Sequence, residues 1–99
     1  MIGHTALWRV EARRSQMTAG SIQVELIVTD HAGRPAPDEL DIGLTLEMIG
    51  HPMAPTTINL LPERGGAFRT PPLELMQGRW QGQLTVPDGH LLFNVDSAG

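Results

Sequence analysis

Apolar and polar residues alternate along most of this chain with a period of two. The clearest run is "SIQVELIVTD", residues 21–30, in which every even-numbered position from 22 to 28 is apolar. Residues 39–48, 78–86 and 90–95 repeat the pattern as "ELDIGLTLEM", "GRWQGQLTV" and "HLLFNV". A period of two is typical of β-strands that bury one face and expose the other.

Weaker apolar runs near residue 8, at 56–61 and at 67–75 bring the total to about seven strand-like segments. Glycine and proline turn signals separate them every ~8–12 residues, which is the spacing of an all-β sandwich. We therefore predict one domain over residues 1–99, an all-β, antiparallel immunoglobulin-like β-sandwich of about seven strands. The predicted core consists of Ile22, Val24, Leu26, Val28, Ile42, Leu44, Leu46, Trp80, Leu84, Val86, Phe93 and Val95.

Two segments leave details open. In "ALWRVEAR", residues 6–13, either Leu7 or Trp8 sets which side of the first strand is buried. In "RTPPLEL", residues 69–75, two prolines predict an edge or bulged strand, because proline has no N–H to donate to a neighbouring strand.

Composition narrows the function classes. The seven cationic residues are all arginine, they are scattered, and the net charge is −4, so the basic stripe of a nucleic-acid-binding protein is missing. There is no cysteine, which excludes disulfides and thiolate chemistry. No apolar run reaches the ~18 residues of a membrane span. The start, "MIGHTALWRV", does not resemble a signal peptide. If the protein acts outside the cytoplasm, we expect its targeting or anchoring segment either to lie outside this sequence or to be carried by another protein.

Catalytic motifs are also missing. The serines lie in no nucleophile elbow, and no glycine-rich phosphate loop precedes a helix. Acidic residues fall on outward strand positions or in turns. We therefore predict that the protein is not an enzyme.

The segment "LEMIGHPMAP", residues 46–55, contains the strongest candidate site. Met48, His51 and Met53 form an M-x-x-H-x-M motif, and thioether and imidazole groups suit Cu(I). Met76 precedes the strand of Trp80, and in an immunoglobulin-like sandwich that strand is the antiparallel neighbour of the one ending at Met48. We therefore expect Met76 to lie near Met48 and to be a further candidate ligand of the copper site. The alternative is that Met48 and Met76 fill the core, as methionine often does, while His51 and Met53 are exposed loop residues.

The remaining histidines, His4, His31 and His90, lie in turns or near a terminus. We interpret each as an isolated, solvated residue rather than a metal ligand.

Residues 12–96 resemble the FixH and YtkA-like domains, which are bacterial extracytoplasmic modules related in shape to the CopC copper-binding proteins. The most distinctive parts are a D-x-x-G-x-P turn (Asp30, Gly33, Pro35) and an M-x-G-x-W run (Met76, Gly78, Trp80). His51-Pro52 is similar to the "HP" that FixH proteins tend to carry after the third strand. FixH chains usually begin with a membrane-spanning helix, which is missing here.

The resemblance implies an extracytoplasmic accessory domain, periplasmic or membrane-tethered, in a bacterium. It implies a Cu(I) chaperone or delivery role in respiratory oxidase assembly, with copper-oxidase assembly proteins or another membrane protein as partners. The rival prediction is a metal-free protein-interaction module of a membrane-associated bacterial protein. For the rival, "RTPPLEL" is the surface that we expect to bind.

Overall fold

Two antiparallel β-sheets make up the protein in a computed structural model that describes residues 2–18, 21–50 and 54–97. Ten strands occur in these ranges: β1 (Ile2–His4), β2 (Trp8–Thr18), β3 (Ser21–Asp30), β4 (Gly43–Met48), β5 (Thr56–Asn59), β6 (Leu61–Pro62), β7 (Ala67–Arg69), β8 (Leu73–Glu74), β9 (Gly78–Val86) and β10 (Gly89–Ser97). The described residues contain no helix.

The strand order is that of an immunoglobulin-like sandwich. One sheet runs β1-β2-β3-β7-β6, with β8 also paired to β3, and the other runs β10-β9-β4-β5. Leaving aside β1 and β8, this is the A-B-E-D sheet facing the G-F-C sheet of the immunoglobulin fold, with β5 as an added C′ strand. The predicted fold class is confirmed.

Three of the strands were not separated in the sequence pattern. A short β1 precedes the predicted first strand and pairs with β2. The run at 56–61 divides because β5 pairs in one sheet and β6 in the other, with buried Leu60 at the crossing. The run at 67–75 divides at Pro71 and Pro72, so about seven predicted segments become ten strands.

The core lies between the sheets, and eleven of the twelve predicted core residues are buried. Phe93, on the edge strand β10, is the exception and is half-buried. The buried face of β2 is the one that includes Trp8, because Val10 and Ala12 on the same face are buried. Leu7 is 58% exposed.

Pro71 and Pro72 separate β7 from β8, and β3 pairs with both of these short strands. It pairs with β7 at residues 25–27 and with β8 at residues 21–22. Thr70 bridges the gap: its N–H donates to the Val24 carbonyl (3.0 Å), and its hydroxyl accepts the Val24 N–H (3.1 Å). No described strand lies beyond β8, so the predicted edge position is confirmed there, whereas β7 is covered by β6.

Candidate functional site

The end of the sandwich at which β4 stops is formed by the pairing of β4 with β9. We call it the Met/His end and define it by Met48, Ile49 and Met76. Met48 lies opposite Trp80, and the Ile49 N–H donates to the Arg79 carbonyl (2.8 Å). The indole N–H of Trp80 donates to the Met76 carbonyl (3.0 Å). The antiparallel register therefore brings both methionines to the same end of the molecule, as the predicted topology requires.

The two methionines are in different environments. Met48 is only 5% exposed, and its methyl group packs on Gly78, where an added Cβ would lie 2.6 Å from the Met48 Cε. Met76 is 58% exposed. The core-filling alternative thus describes Met48 but not Met76, and the M-x-G-x-W run has a packing role: its glycine makes room for Met48, and its tryptophan holds the Met76 backbone.

His51, Pro52 and Met53 lie outside the described residues. The backbone leading to them has Gly50 at φ +82°, a conformation that favours glycine. A shallow groove of about 430 Å³ lies beside it, lined by Glu47, Met48, Ile49, Gly50 and Gln81. Ile49, just after β4, is 51% exposed.

At the opposite end of the sandwich, His4 and His31 stack on each other. Their ring centroids are 5.9 Å apart and the planes differ by 17°. The His31 Nε2 lies 3.1 Å from the Thr5 carbonyl, and because a carbonyl only accepts, this nitrogen carries the proton. The interpretation of His4 and His31 as isolated residues was wrong.

No local signal relates these two histidines, which are 27 positions apart. They meet because His4 pairs opposite Arg9, Arg9 pairs opposite Thr29, and His31 follows two residues later. Only the combined register of three strands could have revealed the contact.

Two aspartates beside the stack have lowered pKa values. Burial acts to raise the pKa of Asp88, but the Leu7 N–H, the Thr5 hydroxyl and the charge of His31 outweigh it. For Asp30, the Arg34 N–H is the main cause of the lowered pKa, and the Ala32 N–H and the Arg34 charge add to it. The Asp88 carboxylate links the turn between β9 and β10 to the segment before β2, since the Leu7 N–H donates to Asp88 Oδ2 (2.9 Å). The Asp30 carboxylate holds the turn after β3, since the Ala32 and Arg34 N–H groups donate to Asp30 Oδ1 (2.9 Å each).

Glu11 and Arg13 of β2 form an ion pair at the surface. Arg13 donates to Glu11 (2.9 Å), which lowers the pKa of Glu11 and raises that of Arg13. Exposed pairs of this kind contribute little to stability.

Within residues 2–18, 21–50 and 54–97, no three or more His, Asp or Glu side chains are placed to hold a metal ion together. No helix long and apolar enough to cross a membrane occurs in the same ranges.

Comparison with known proteins found no match to the chain among family models, curated proteins or solved structures. The resemblance to FixH and YtkA-like domains stays a prediction from the residues quoted above.

Proposed function

We propose that this protein is a non-catalytic accessory domain that binds Cu(I) at the Met/His end. The observation that carries the proposal is the exposed thioether of Met76 at the same end of the sandwich as Met48, the last residue of β4. His51, Met53 and Met76 would be the outer ligands. Met48 would supply a buried thioether on the core side.

The donor set accounts for the choice of metal. Thioether and imidazole groups favour Cu(I), and a site without thiolates persists where cysteine would oxidise. The Trp80 indole anchors the backbone of Met76 through its carbonyl. Pro52 locks its own φ and so reduces the entropy that the loop loses when His51 and Met53 bind metal. A site at the molecular surface suits transfer of copper to another protein rather than storage.

The proposed setting follows from the same chemistry together with the family resemblance. The domain would act outside the bacterial cytoplasm, in the periplasm or tethered to the membrane. Its partners would be proteins that assemble a copper-containing respiratory oxidase.

Competition titration with a Cu(I) chelator tests the proposal. We expect one site in the wild-type protein, at least ~10-fold weaker in both His51→Ala and Met76→Leu, since each change removes one ligand. Met48→Leu keeps the buried volume and removes only the sulfur, so it separates the ligand role of Met48 from its packing role. His90→Ala, which changes an exposed histidine on β10, is the control. Wild-type affinity in His51→Ala, or no copper binding at all, would refute the proposal.

A metal-free interaction module is the second candidate, and one observation favours it. Ile49 (51%) and Met76 (58%) expose apolar side chains at the Met/His end, whereas in the "RTPPLEL" segment Leu75 is buried and Leu73 half-buried. If this function is correct, the partner-binding surface is the Met/His end rather than the predicted "RTPPLEL" segment.

Two substitutions distinguish the candidates in a pull-down from bacterial membranes. Met76→Leu keeps an apolar side chain, so it should preserve binding of a protein partner while weakening copper. Ile49→Ser should do the reverse, because it removes apolar surface and no ligand. Retention of a partner by Met76→Leu in the absence of copper would favour the interaction module.

A further inference from the structure

The outer edge of β10 is the longest unpaired strand edge in the described part of the chain. All nine residues, Gly89–Ser97, pair one to one with β9 without a bulge, and no described strand pairs on the other side. Such an edge presents backbone N–H and C=O groups that can pair with another strand.

The other edges are protected. β1, β5, β6 and β8 are two to four residues long, and β6 contains Pro62. The part of β2 beyond β1 carries Arg13 and Arg14 and ends in a register shift after Gln16. Short strands, prolines, cations and bulges are the usual means of preventing edge-to-edge association. β10 contains no proline, lysine or arginine.

The side chains next to this edge are also incompletely covered. Phe93 and Leu91 are half-buried, and Leu92 on the outer face is 56% exposed. The Phe93 ring lies over Gly82 of β9, where an added Cβ would approach it to 2.6 Å. Beside it, a groove of about 280 Å³ opens between the sheets. It is lined by Phe93, Asn94 and Val95 on one side and by Ala12, Arg13, Arg14 and Val24 on the other.

We infer that β10 is the interface of a two-fold symmetric homodimer, in which β10 pairs antiparallel with β10 of a second copy. We place the two-fold axis at the middle residue of the strand, Phe93. Pairing centred there uses the full length from Gly89 to Ser97, sets Leu91 opposite Val95 and sets Leu92 opposite Asn94. Because this register pairs odd with odd positions, core-facing side chains meet core-facing ones.

The dimer would join two four-stranded sheets into one of eight strands. It would cover the half-buried Phe93 and Leu91 at the side of each sandwich. Since the paired strands are antiparallel, the two Met/His ends would lie at opposite ends of the joined sheet, and both would stay accessible. The inference is thus independent of the proposed copper site.

A charge-swap experiment at Leu92 tests the interface. By the two-fold symmetry, the two Leu92 side chains become diagonal neighbours, roughly 7–8 Å apart. Leu92→Lys and Leu92→Glu should therefore each disfavour their own dimer through like-charge repulsion. An equimolar mixture of the two should associate again. Because Leu92 is exposed in the monomer, both variants should fold.

The measurement is sedimentation equilibrium from ~1 µM to ~1 mM protein. We expect the wild type to reach the dimer mass within this range, each variant to need about 10-fold more protein, and the mixture to recover wild-type behaviour. Thr57→Lys, an exposed change on β5 at the other edge of the same sheet, should leave association unchanged. A monomeric wild type throughout the range, or a Leu92 mixture no more associated than its components, would overturn the inference.

Discussion

Thr70 offers the sharpest test of how the fold is held together. It is completely buried, and its hydroxyl accepts a hydrogen bond from the Val24 N–H. In a regular pair of strands, a backbone carbonyl of the neighbouring strand would accept this hydrogen bond. The carbonyl of Thr70 is instead bound by the Gln23 side-chain amide (2.9 Å). Thr70→Val preserves the shape of the side chain but removes this acceptor from an N–H in the interior.

A buried N–H that loses its acceptor costs about 1–3 kcal/mol, so we expect Thr70→Val to lower the free energy of unfolding by that amount. For a domain of this size, each kcal/mol corresponds to a decrease of roughly 4–8 °C in the melting temperature. Urea unfolding of wild type and variant measures the free-energy difference directly.

The control is Thr70→Ser, which keeps the hydroxyl and loses one methyl group, worth about 0.8 kcal/mol. Amide hydrogen exchange separates the two effects: the Val24 N–H should exchange faster in Thr70→Val and stay protected in Thr70→Ser. A Thr70→Val protein as stable as the wild type, with Val24 still protected, would show that the hydroxyl does not support β3 as we infer.

Two further predictions concern turns. Gly65 and Gly66 have φ of +73° and +82°, but a Cβ at Gly65 would meet open space, whereas one at Gly66 would lie 2.4 Å from the Val28 carbonyl oxygen. Gly65→Ala should therefore cost ~1–2 kcal/mol of unfolding free energy and Gly66→Ala clearly more, as urea unfolding would show; equal costs would contradict the reasoning. The lowered pKa of Asp30 stabilises the fold fully above the ordinary value of 3.8, and this stabilisation is lost as pH falls through the lower folded-state pKa. Unfolding free energies at pH ~6 and ~3 should differ less in Asp30→Asn than in the wild type. An unchanged difference would show that Asp30 does not contribute to the pH dependence of stability.

The proposed site was only partly predictable from the sequence. The topology of a sandwich was enough to place Met48 and Met76 at the same end, because the strand ending at Met48 and the strand of Trp80 are antiparallel neighbours. The alternation along β4 also places Met48 on the buried face with Leu44 and Leu46, where Gly78 leaves room for its methyl group. The exposure of Met76, which lies before β9, was not predictable from the alternation.

By itself, the sequence determined the class of fold and nearly all of the core. Alternation with a period of two is a local property, because the order of apolar and polar residues within one strand shows which face of that strand is buried. β3 and β9 have the predicted bounds. Glycine and proline mark the turns for an equally local reason, the backbone angles that each residue permits.

Only the tertiary structure decided which strands meet. The stack of His4 on His31, the crossing between sheets at Leu60 and the open edge of β10 depend on register and on contacts between residues far apart in the chain. Alternation shows that one face of a strand is buried, but it does not show against what. Partners, edges and the exposure of a side chain such as Met76 follow from how the two sheets pack together.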